Sequence, residues 1–204
     1  MFITASMNYP FRYGVNSLLL NEWGEKFLDS EFVLGVEPRR GNQTAKPWFA
    51  LDCTGVDREH PRCKDQNGSI EIWGALGSRS SAILDLDGDG DLDIVTNEFN
   101  AEPQILISDL SDKREIRFLK IDLEGTRSNR DGLGAIVRVR AGGQTYTKVR
   151  DGKSGYLSQS LMPLYFGLGD AVVAEQVQVH WLSGQTQTLV GPIETNKLLM
   201  IAEE

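Results

Sequence analysis

Five aspartates stand at every second position in Asp85-Leu-Asp87-Gly-Asp89-Gly-Asp91-Leu-Asp93. Like charges at that density repel one another unless a cation neutralises them. Calcium is a hard cation that gathers about 6–8 oxygen ligands. Carboxylates at loop positions 1, 3 and 5 (Asp85, Asp87 and Asp89) converge on one ion if the chain turns sharply. Gly90, at position 6, permits that turn because it adopts backbone angles closed to other residues. Asp91 is then expected to offer its backbone carbonyl, and Asp93 a carboxylate, directly or through water. The plain alternative is an acidic, solvated turn.

An EF-hand loop carries a bidentate Glu at position 12, where this chain has Thr96. The flanks, Ala82-Ile-Leu-Asp-Leu86 and Leu92-Asp-Ile-Val95, have strand rather than helix character. The loop is therefore expected to pin a turn between strands, and its calcium to be structural first.

Other residues with chemistry to offer are few. Cys53 and Cys63 close a short polar loop containing His60. A disulfide is the simplest reading; free thiols, or a metal site using His60, are the others. His180 lies in the alternating run Gln176-Val-Gln-Val-His-Trp181 and reads as structural. Ser154 and Ser158 flank Gly155-Tyr156 without a Gly-x-Ser-x-Gly elbow. No phosphate loop or dinucleotide fingerprint is present. Arg130 and Asp131, before Gly132 and Gly134, suit a salt bridge across a turn. Tyr156, Leu157 and the Phe166–Gly169 run offer either groove walls for a peptide or glycan, or core and turn residues. No catalytic residue is assigned.

Short runs separated by turn residues must position these groups. They are Ser17–Leu20, Ser69–Trp73, Ala82–Leu86, Leu92–Thr96, Gln104–Ile107, Arg117–Leu123, Ala135–Arg140, Gln144–Val149, Gln176–Trp181 and Leu198–Ile201. Many alternate polar and apolar residues, the period of a half-buried strand. Glycine, 21 in all, punctuates them. Asp170–Glu175 is the one stretch with some helical character. The fold class expected is all-β.

A weak repeat links Ile3–Pro10, followed by Leu18–Leu20, to Val95–Asn100 and Pro103, followed by Ile105–Ile107. In the second copy the aspartate loop comes just before the unit. The matching place in the first copy lies before Met1, so earlier copies are expected upstream. A composition change near Asp122–Gly125 divides residues 1–122 from 123–204.

The chain has 204 residues, 40% hydrophobic and 25% charged, with a formal net charge of −8. That is enough apolar material for a core. An acidic surface disfavours nucleic acid and anionic lipid and attracts cations. No apolar run reaches the roughly 20 residues of a membrane span. The first residues lack the basic start and apolar stretch of a signal peptide. Alone that argues for the cytoplasm, but the expected upstream copies outweigh it.

With these residues in view, Asp85–Asp93 and the following Ile-Val-Thr-Asn97 resemble the calcium loop of FG-GAP, or VCBS-type, repeats. Asn16–Phe27 is similar to the second half of such a blade. Four segments, Gly125–Ala135, Gly152–Gln159, Tyr165–Asp170 and Val179–Gly184, resemble the ASPIC/UnbV domain of the cartilage acidic protein-like family. The segment Arg39–Gly68 lies outside both resemblances. They imply partial β-propeller blades, truncated at the N-terminus, followed by a small C-terminal β-domain. They imply a noncatalytic, calcium-stabilised adhesion or interaction module, secreted, on the cell surface or periplasmic, with a protein or glycan ligand. The alternative is a carbohydrate-active hydrolase or lyase on a propeller scaffold.

Overall fold

The structure, a computed structural model, describes residues 1–5, 13–22, 24–39, 41, 43–155 and 158–204. It is all-β, as expected. Contacts group it into two compact units, Met1–Ser81 with Val95–Leu106, and Ala82–Ile94 with Ile107–Glu204. This division does not follow the composition change at Asp122–Gly125, because the aspartate loop and residues 107–124 group with the C-terminal strands.

Strands β1 (Phe2–Ile3), β2 (Ser17–Glu22) and β3 (Lys26–Asp29) form one sheet, and β4 (Ala45–Asp52) pairs with β5 (Ser69–Ala75). Strands β6 (Gly77–Leu84), β7 (Asp93–Phe99) and β8 (Gln104–Leu106) form another in that order. A single helical turn, α1 (Leu110–Lys113), precedes β9 (Phe118–Glu124). Then follow β10 (Ile136–Ala141), β11 (Gln144–Val149), β12 (Leu164–Gly167), β13 (Val173–His180), β14 (Thr186–Glu194) and β15 (Lys197–Ala202). These make a sheet ordered β11-β10-β13-β14 and a sheet ordered β12-β9-β15, with β15 parallel to β9.

Each of the ten expected runs overlaps a strand, although Asp85 and Leu86 of the Ala82–Leu86 run lie in the loop after β6. The helical reading of Asp170–Glu175 is corrected: the segment is a turn that enters β13 at Val173. Val173 and Ala174 pair with Glu194 and Ile193 of β14, which makes this end of the segment strand. Of the two repeat copies, Ser6–Pro10 lie outside the described residues.

One apolar core serves both C-terminal sheets. Leu119, Ile121 and Leu123 of β9 meet Val137 and Val139 of β10, Val177 and Val179 of β13, and Phe166, Trp181 and Ile201. Strict alternation selects them, since every second residue of β9 is buried. The same alternation turns Phe118, Lys120 and Asp122 to the opposite face.

In the first unit, Leu51, Cys53, Cys63 and Ile72 form a small apolar cluster with Trp48 and Ile70 against it. Cys53 and Cys63 are joined in a disulfide, with Cα atoms 5.1 Å apart. The metal alternative is thereby excluded: the thiols are bonded, and His60 Nδ1 accepts the Arg62 amide at 3.2 Å. The unit also buries a polar network. Arg39 pairs with Glu98, whose Oε1 also accepts the Ser78 and Thr96 hydroxyls. Glu37 accepts the Asn16 amide at 3.0 Å and the Tyr13 hydroxyl at 2.6 Å.

Candidate metal centre

The aspartate loop connects β6 to β7. Short-range hydrogen bonds fold it, because an aspartate side chain readily accepts an amide two or three residues on. Asp85 Oδ1 accepts the Gly88 amide at 2.7 Å, Asp87 Oδ1 the Asp89 amide at 3.3 Å, and Asp89 Oδ1 the Asp91 amide at 3.0 Å. The turn closes at Gly90, whose φ is +97°. A side chain there also has no room, since a Cβ would lie 2.7 Å from the Phe118 ring.

This winding brings one carboxylate oxygen each from Asp85, Asp87 and Asp89 within 4.8 Å of one another. Three such oxygens on a short loop could hold a hard metal ion. Asp91 and Asp93 are placed differently. Asp93 is buried and accepts the Leu86 amide at 2.7 Å and the Ser108 amide at 2.8 Å. Asp91, also buried, accepts the Ser111 amide at 2.8 Å through Oδ2. Its Oδ1 is buried without a hydrogen-bond partner. A buried carboxylate oxygen left so is costly and marks a place where countercharge is wanted.

α1, β9 and β12 supply what surrounds the loop, and the sequence assigned none of these residues to the site. Lys120 Nζ lies 2.6 Å from Asp85 Oδ2. Tyr165 donates to the Gly90 carbonyl at 2.6 Å and stacks on Phe118 with ring centroids 5.4 Å apart. Ser111 donates its hydroxyl to Asp89. Tyr165 and Lys120 are directly opposed across β12 and β9, so both reach the same face. The period-two pattern around Leu119, Ile121 and Leu123 could have flagged Phe118 and Lys120 as outward-facing, but not what they would meet.

The charges respond accordingly. Burial, and then the charges of Asp85, Asp91 and Asp89, push the Tyr165 hydroxyl up to about 12, so it remains a donor. Asp87 accepts the Asp89 amide, which favours its ionised form. Desolvation and the charges of Asp89 and Asp93 outweigh that and hold it above the usual carboxylate range. The Ser111 hydroxyl and the Asp91 amide hold Asp89 below it.

The other described candidates make local contacts. His180 is exposed at the end of β13, with Nδ1 2.9 Å from the Thr186 hydroxyl. Ser154 and Ser158 share a hydrogen bond at 2.6 Å. Phe166 and Leu168 are core residues, while Tyr156 and Leu157 lie outside the described residues. The Arg130–Asp131 turn is held by Asn129, whose side chain donates to the Leu133 carbonyl and accepts its amide, both at 2.7 Å.

No curated protein matches the chain. Residues 125–204 match the family model described as ASPIC and UnbV, so the C-terminal resemblance seen in the sequence holds over that span.

Proposed function

We propose that Asp85–Asp93 is a calcium loop of FG-GAP or VCBS type within a noncatalytic interaction and adhesion module of a secreted or cell-surface protein. The observation that carries this reading is the convergence of Asp85, Asp87 and Asp89 oxygens within 4.8 Å. Asp91 adds its carbonyl, and water completes the shell, which calcium tolerates better than magnesium does. Asp93, held by two backbone amides, fixes the loop ends and meets the ion through water. The ion neutralises the loop and pins the turn between blade strands β6 and β7.

The extracytoplasmic placement draws support from the Cys53–Cys63 disulfide. Extracellular calcium is plentiful, so a weak site is filled there. The partner is a protein or a glycan; nucleic acid is disfavoured by the net charge of −8.

Calorimetric titration of chelator-stripped protein with calcium tests the reading, alongside Asp87→Ala. The expected result is binding near one ion per chain, a raised melting temperature, and loss of both in the variant. Binding that survives the substitution, or none in the wild type, removes the assignment.

A further inference from the structure

Asp85 has two carboxylate oxygens, and the fold uses them differently. Oδ1 is occupied by the Gly88 amide at 2.7 Å, a bond that shapes the loop itself. Oδ2 is left to face a cation, and Lys120 Nζ stands 2.6 Å from it. The carboxylate is almost wholly buried, its side chain 1% exposed, while the lysine side chain keeps 26% exposure. One oxygen cannot serve a full lysine ion pair and a divalent ion together, because two cations at that separation repel strongly.

We propose that Lys120 is the resident counter-cation of the loop, and that a divalent ion takes the site by displacing its ammonium from Asp85 Oδ2. This inference rests on reading the loop as a calcium site. The lysine is built for such an exchange. Its long stem is partly solvated, so the head swings away without unpacking β9. The Phe118 ring, with its centroid 5.1 Å from Nζ, offers a second seat through its electron-rich face. Without metal, Lys120 offsets part of the repulsion among Asp85, Asp87 and Asp89. With metal, the ion takes over that role. Lys120 belongs to β9, between β12 and β15, so metal occupancy is reported directly to the sheet that carries the Leu119-Ile121-Leu123 core face. Lys120 therefore lowers calcium affinity and makes the metal-free loop tolerable.

The test compares wild type, Lys120→Met and Lys120→Arg. Each chelator-stripped protein is titrated with calcium at low salt and melted with and without the ion. Removing the competing charge is expected to tighten calcium binding about tenfold in Lys120→Met, the scale of one partly buried ion pair. Its metal-free melting temperature falls, and its calcium-loaded one returns to the wild-type level. Lys120→Arg keeps the charge, binds near wild type, and shows that the position tolerates substitution. Equal or weaker affinity in Lys120→Met overturns the inference alone. So does an equal fall of both melting temperatures, which would mark a packing role. Calcium binding by none of the three proteins overturns the loop reading and the inference with it.

Discussion

Tyr165 donates its hydroxyl to the carbonyl of Gly90 at 2.6 Å, reaching across 75 residues of sequence to the turn of the aspartate loop. Tyr165→Phe deletes that donor and leaves a part-buried carbonyl unpaired. A loss of about 1 kcal/mol is expected in urea unfolding of the metal-free protein. The stacking on Phe118 persists in the variant, so an unchanged midpoint would show that the hydrogen bond contributes nothing.

Gly90→Ala meets two obstacles at once. A φ of +97° is unfavourable for a residue with a Cβ, and the new atom would sit 2.7 Å from Phe118. Together these are expected to cost about 2–3 kcal/mol. Gly88→Ala also has a positive φ, +87°, but its Cβ meets nothing within 4 Å. The excess destabilisation of Gly90→Ala over Gly88→Ala isolates the Phe118 contact. Equal losses would mean that Phe118 yields freely.

Glu203 titrates far from its ordinary range. Burial alone would raise it, but hydrogen bonds outweigh burial and bring it from 4.5 to about 2. They come from the Ser183 hydroxyl, the Ser128 amide and hydroxyl, and the Arg127 and Thr126 amides. The folded state thus binds this proton less tightly than the unfolded chain. The stability it contributes is fully present above pH 4.5 and is lost as pH falls toward 2. Unfolding midpoints of wild type and Glu203→Gln should differ at pH 6 and converge toward pH 2. A constant gap across that window would assign the effect to packing.

Arg39 and Glu98 form a buried ion pair, their side chains 4% and 0% exposed. Removing one partner strands the other charge, so Arg39→Met is expected to cost about 3–5 kcal/mol. The double variant Arg39→Met with Glu98→Gln should recover part of that loss. Additive losses in this double-mutant cycle would count against direct coupling.

The Cys53–Cys63 bridge closes a loop of ten residues' separation at the tip of the β4–β5 hairpin. Paired Cys53→Ser and Cys63→Ser should destabilise by roughly 2–3 kcal/mol through a freer unfolded chain. Hydrogen exchange should speed up mostly in β4 and β5. Uniform acceleration that included β10 and β13 would show a wider role.

Local patterns made part of this protein legible in the sequence alone. Strand alternation placed ten runs on or overlapping strands, because a period of two is a property of neighbouring residues, while β1, β3, β4, β12 and β14 were not among them. The disulfide and the Asp85-Asp87-Asp89 convergence were also readable, since both close over a few residues. The terminal domain was readable from four short segments. Only the tertiary structure decided that Lys120, Phe118, Tyr165 and Ser111 surround the loop, and that Arg39 meets Glu98 from 59 residues away. It also turned Asp170–Glu175 from a helical expectation into the entry of a strand. Such pairings depend on sheet order and register, and these are settled by burying one shared core rather than by any residue's near neighbours.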